Sequence, residues 1–101
     1  MLLSIGTHRT PTTIRLDVTG EIDMSTAGNL SRAITAALDT GPDDLVIDLA
    51  GATFCDCAGV TALVNGREEA RERQVGYRLR NVHGNPLRVL RALGLHTMLT
   101  S

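Results

Sequence analysis

A near-continuous apolar run, Leu45-Val46-Ile47 with Leu49 just beyond Asp48, leads within a few residues into the start of a helix. The run is far too short to cross a bilayer and too uniformly apolar for a strand with one wet face. Its length and β-branched content select a strand lying centrally in its sheet or covered on both faces. Such a strand feeding directly into a helix commits the chain to a layered α/β architecture, and other segments must supply its neighbours.

From Thr13 to Thr19 the chain alternates strictly, with Ile14, Leu16 and Val18 apolar and Arg15 and Asp17 polar, the pattern of a half-buried strand. Leu2 to Ile5 is a plausible antiparallel partner, joined to it through the turn-like stretch Gly6 to Pro11. Gly20 interrupts the alternation as a bulge or bend would. Ser25 or Thr26 then caps a helix in which Ala27, Leu30, Ile34 and Leu38 share one face, and Gly41-Pro42 stops it. A second helix fits Cys57 to about Gln74, and Val75, Tyr77 and Leu79 alternate as another strand. A third helix takes Asn85 as its N-cap and Pro86 as its first residue, with Leu87, Leu90 and Leu93 on one face and Gly94 past its end.

The predicted order is β-β-α-β-α-β-α with a short tail from Leu95 to Ser101, one α/β domain over 1–101. The β-α-β units imply parallel strands, so the sheet is mixed, of four or five strands, and packed with three or more helices. Leu30, Ile34, Val60, Leu63, Leu90 and Leu93 are the expected helical contributions to the core.

Composition excludes several function classes. Hydrophobic residues make up 43% of the 101, enough for a core, but Phe54 and Tyr77 are the only aromatics. A platform on which bases could stack is missing, and a net charge of -1 gives no basic field, so nucleic acid is not an expected partner. MLLSIGTHR has neither the basic start nor the long apolar run of a signal peptide, and no stretch is long enough for membrane insertion. Two cysteines spaced C-D-C rarely close a disulfide, and reduced thiols in a cytoplasmic protein is the simplest reading. Charge is uneven: eight acids face three Arg up to Asp56, and seven Arg face three Glu after it.

Chemistry has few places to reside. Asp56 stands where the second helix begins, and taken alone it reads as a structural cap. Gly59, three residues on, permits close approach of another backbone or of a partner surface. There is no G-x-x-x-x-G-K-[ST] loop for nucleotide phosphates. A thiol at a helix N-terminus suggests a redox sensor at Cys57, but C-x-x-C is missing and the Asp56 carboxylate opposes a thiolate. His8, His83 and His96 are scattered without metal-ligand spacing, and no nucleophile stands beside a general base. The chain is therefore expected to be no enzyme, with no metal and no cofactor.

The stretch L-V-I-D-L-A-G-A-T-F-C-D-C-A-G-V resembles the STAS family, whose members carry V-V-I-D-L-S, then F-I-D-S-S-G, then a helix. G-E-I-D at Gly20 to Asp23 resembles the family's G-E-L-D, and L-R-N-V-H-G-N-P-L-R-V-L-R-A-L-G-L is similar to its closing pattern. Together these cover roughly Thr12 to Leu95. The resemblance implies a STAS-like fold and a cytoplasmic protein-binding module of the anti-sigma-factor-antagonist kind, acting in sigma-factor regulation of transcription. Its implied partner is an anti-sigma factor, a serine kinase of the histidine-kinase-like ATPase fold, and a homodimer is compatible with it. By analogy Asp23, Asp56, Cys57, Ala58, Gly59 and Thr61 lie on the partner-facing surface. The family's phosphorylated Ser corresponds to Ala58, which has no hydroxyl, so the resemblance implies a binder without that switch. The alternatives it leaves are a constitutive scaffold or subunit of a stress-sensing or transport complex and, more remotely, the Cys57 thiol sensor.

Overall fold

The computed structural model describes residues 2–100; Met1 and Ser101, the outermost residues of the predicted domain and tail, lie outside them. Strands β1 (Ser4–Arg9), β2 (Thr13–Ile22), β3 (Asp44–Cys55) and β4 (Gly76–Arg80) form one sheet in the order β1-β2-β3-β4. β1 runs antiparallel to β2, while β2, β3 and β4 are parallel, so the mixed four-stranded sheet expected from the pattern is present. Helices α1 (Ala27–Asp39), α2 (Cys57–Glu72), α3 (Gly84–Ala92) and α4 (His96–Thr100) complete the fold.

Register decides which face is the core. Ile14 and Leu16 stand beside Leu45 and Ile47, which stand beside Tyr77 and Leu79. These side chains meet Leu30, Ile34 and Leu38 of α1, Val60 and Leu63 of α2, Leu90 of α3 and Leu99 of α4 in one cluster. The other face carries His8, Arg15, Asp17, Asp48, Arg78 and Arg80 by the same register, and no helix contributes to it a member of that cluster. Val46 and Ile47 are both buried, as a strand between β2 and β4 requires.

β3 is longer than its apolar run. Asp17 pairs with Asp48 but Thr19 with Gly51, and Gly20 pairs with Ala52 but Glu21 with Phe54. Each step inserts one extra residue into β3, a pair of bulges. Core positions therefore pass from Leu49 to Ala52 to Cys55, at intervals of three, and the alternation disappears from the sequence.

Several expectations need correction. β1 begins at Ser4 and runs through Arg9, so Leu2 lies before it and is exposed. α3 starts at Gly84 with His83 as N-cap, because the Asn85 side chain is engaged elsewhere (below). Leu93 is half exposed rather than buried: it is the C-cap of α3, and the chain turns at Gly94 with φ +71°. The stretch read as a tail folds back as α4, whose fully buried Leu99 joins the core. Thr26 does occupy the N-cap position of α1, but its hydroxyl makes no cap hydrogen bond.

Candidate functional site

The C-terminal ends of β2 and β3 and the N-termini of α1 and α2 form one rim of the molecule. Its two loops are tied together by the backbone, since Asp56 N–H donates to the Ile22 carbonyl at 3.1 Å. Asp23, the residue after Ile22, thereby lies beside the Asp56 loop, as the family resemblance implied.

Both aspartates organise their own loops. Asp23 Oδ1 accepts from the Ser25 hydroxyl at 2.7 Å and from the N–H groups of Ser25 and Thr26 at 2.9 and 3.2 Å. Asp23 thus heads α1, while the Thr26 hydroxyl donates back to the Glu21 carbonyl at 2.8 Å. The Ser25 hydroxyl above all, with the loop N–H groups behind it, holds the Asp23 carboxyl below the ordinary carboxylate range. Asp56 caps α2, its Oδ1 accepting from Gly59 N–H at 3.0 Å, as its position predicted.

The six residues expected at the surface are brought together but are not alike. Cys57 and Thr61 are exposed, Asp23, Asp56 and Ala58 are half-buried, and Gly59 is buried. A Cβ on Gly59 would lie 2.6 Å from the Ile22 carbonyl oxygen, 2.7 Å from Cys55 Sγ and 2.8 Å from Ile22 Cγ2. Gly59 therefore makes room for the chain's own β2 end and not for a partner. Thr61 is reachable, but its hydroxyl donates to the Cys57 carbonyl at 2.9 Å within the helix. Cys55 is buried, and that burial pushes its thiol up to about 11, so it stays protonated at neutral pH and offers Cys57 no thiolate partner.

Two residues of the rim escaped sequence reasoning. Met24 is 84% exposed directly after Asp23, and Phe54, opposite Glu21, is 37% exposed. The bulges of β3 turn Phe54 outward while sending Cys55 inward. A lone aromatic two residues before a helix cap was the available signal. Segments 19–31 and 49–66, which build the rim, contain no Arg or Lys. Depressions in the surface include one of about 290 Å³ between α1 and α2 and others on the uncovered sheet face. His8 is held by Asp17 and His83 lies 2.8 Å from the Ala50 carbonyl oxygen. No cluster of three metal-ligating side chains exists among the described residues. The rim combines small side chains, two ordered carboxylates and two exposed apolar groups.

The fold is that of a small α/β domain, a four-stranded mixed sheet whose third strand runs into an Asp-capped helix. The family described as "Mlab, STAS domain" matches residues 5–100, and the chain belongs to it. No curated protein matches. Among solved structures, the chain is similar to an anti-sigma factor antagonist from Mycobacterium paratuberculosis at 26% identity and a TM-score of 0.87, covering 97% of this chain and 83% of that one. The Bacillus anti-sigma factor antagonist SpoIIAA in its unphosphorylated form gives 17% identity and a TM-score of 0.82, with 97% and 86% covered. A sulfate transporter family protein from Wolinella succinogenes gives 17% and 0.76, with 89% and 73% covered. The last two likenesses bear on the fold alone. Among the described residues no helix is long and apolar enough to cross a membrane.

Proposed function

We propose that this STAS domain is a cytoplasmic, non-enzymatic binding module of the anti-sigma-factor-antagonist kind. In this reading it engages an anti-sigma factor, a serine kinase of the histidine-kinase-like ATPase fold, through the rim of Asp23, Met24, Phe54, Asp56, Cys57 and Ala58. The observation that carries it is the exposure of Met24 and Phe54 beside two ordered carboxylates. Large apolar side chains kept in water on a flat surface become strong anchors when a partner covers them. The partner's complementary surface is apolar at its centre and cationic around it, since the two rim segments hold no basic side chain.

Control by phosphate at the family position is absent in this proposal. Ala58 has no hydroxyl, and the nearby Thr61 hydroxyl is engaged with the Cys57 carbonyl. A phosphate here would add about -1.5 to -2 charges beside Asp56 and oppose the contact; without it, binding is constitutive. The likeness to a sulfate transporter family protein favours one second reading, a constitutive subunit of a transport complex.

The experiment is affinity capture from the source cell with the wild-type chain and with Met24→Asp. Met24 packs on little, so the variant should keep its melting temperature. Capture of an ATPase-fold serine kinase by wild type, lost at least tenfold in the variant, supports the proposal. Capture of a transporter ATPase in its place selects the second reading. The captured kinase with ATP should leave the mass of the chain unchanged, and phosphate at Thr61 would refute constitutive binding.

A further inference from the structure

On the uncovered face of the sheet, the register lines up one row across all four strands: His8, Arg15, Val46 and Arg78. Arg80 stands in the next row, beside Asp48 and in line with Asp17. Val46 is only 7% exposed, although it lies on this face and not in the core cluster. The long stems of the arginines around it can shield it there while their charged ends stay in water.

The carboxylates of this face are committed to the fold. Asp17 Oδ1 accepts from Arg15 Nε at 2.8 Å; its Oδ2 accepts from Arg15 Nη2 at 3.2 Å and lies 2.9 Å from His8 Nε2. Asp48 Oδ1 accepts from Ala50 N–H at 2.9 Å, and its Oδ2 from the Asn81 amide at 3.0 Å. Asp44 leans over Gly76, into the space a Cβ there would take. The cations are less fully used. Arg80 Nε stays 3.7 Å from Asp48 Oδ2, outside hydrogen-bond range. Arg78 has no ion pair or side-chain hydrogen bond among the described residues.

A depression of about 310 Å³ opens here, lined by His8, Thr10, Thr13, Arg15, Val46 and Arg80, and no carboxylate among the described residues lines it. We propose that it is a binding site for a phosphate group, either free or as the monoester of a small molecule. Guanidinium groups from two different strands border one space, with two threonines and an imidazole in the same wall. A tetrahedral dianion takes donors from several directions at once, whereas a planar carboxylate is satisfied by the fork of a single arginine. Arg78, in the row of His8 and Arg15, adds a cation that no carboxylate of the face offsets by direct contact. The depression lies towards the start of β2, at the end of the sheet away from Asp23 and Asp56. It therefore leaves the proposed partner surface free and stands or falls independently of it.

NMR titration of the isotope-labelled chain tests the proposal, with inorganic phosphate and with phenyl phosphate, sodium chloride matching the ionic strength throughout. Saturable shifts are expected at the Thr10 and Thr13 amides and at Nε–H of Arg15 and Arg80, with Asp23 to Ser25 unmoved. Whichever anion saturates at the lower concentration tells whether the site takes free phosphate or an ester. Arg80→Gln should weaken binding at least tenfold at unchanged melting temperature, because Asp48 keeps its bonds from Ala50 and Asn81. Arg88→Gln, on α3, should bind like wild type. Shifts that never saturate with either anion, or that spread equally over every exposed arginine, overturn the proposal. So does an Arg80→Gln variant that binds as tightly as wild type, or an equal loss in Arg88→Gln.

Discussion

At Gly59 a methyl group has nowhere to go. Three atoms would stand within 2.8 Å of its carbon, and one is the Ile22 backbone carbonyl, which cannot move without breaking its hydrogen bond from Asp56. Helix propensity favours Gly→Ala by about 1 kcal/mol. Overpacking against backbone costs about 1–3 kcal/mol, and here the collision dominates. Gly59→Ala should therefore lower the denaturant midpoint of unfolding, and an unchanged or raised midpoint would show that the contact relaxes freely. Gly59→Arg would disrupt the fold and not selectively the partner surface. That the position needs close approach was legible in D-C-A-G; the side from which the approach comes was not, because a glycine looks the same from both. Met24 was illegible for a related reason, and at Phe54 the place two residues before the cap marked the position without saying whether the side chain is buried or offered.

The elements divide by how purely local their signals are. β2 and α1 follow from periodicity, since each buries one regular set of positions, and the first half of β3 follows from its near-continuous apolar run, buried from Leu45 to Leu49. The second half of β3 does not, because two bulges move its core positions to Ala52 and Cys55. The start of α3 was misplaced by a tertiary contact. Asn85 has the chemistry of a cap, but its Oδ1 accepts from Cys55 N–H across 30 residues, and the helix begins two residues earlier than expected, at Gly84. Here a side chain replaces the strand that β4 is too short to provide. Asn85→Ala leaves the Cys55 donor, on a residue 1% exposed, without a partner. The expected cost is about 1–3 kcal/mol, measured by chemical denaturation. Hydrogen exchange separates this from a general loss: Cys55 N–H should lose more protection than Asp56 N–H, which still donates to Ile22. Equal loss at both amides would mean that Asn85 acts only through α3.

Across the whole molecule, the acidic first half and basic second half meet as ion pairs. Arg73 of the second half reaches Asp39 at 2.6 Å, and Arg80 lies 3.7 Å from Asp48. The exposed Arg73–Asp39 pair contributes little to stability, and such pairs leave the charge distribution uneven. The second-half arginines lie outside the segments that build the rim, where Asp23 and Asp56 remain without a basic neighbour in sequence. Asp23 is held in its charged form by the Ser25 hydroxyl and the loop N–H groups, so the rim stays negative throughout the neutral range. An ordered negative patch with apolar groups beside it steers a cationic partner during approach, while the apolar contacts hold it afterwards. The screening length falls from about 10 Å at 0.1 M salt to about 3 Å at 1 M. Association of the captured partner should therefore slow several-fold over that range, with dissociation changing far less. Asp23→Asn keeps an acceptor for the Ser25 and Thr26 amides but removes the charge, so it should slow association at low salt and flatten the salt dependence. Stopped-flow or surface-binding kinetics resolve the two rates. Association that is equally fast at both salts, or an Asp23→Asn variant with the wild-type slope, would mean that the partner's surface is not cationic and that Met24 and Phe54 carry recognition alone.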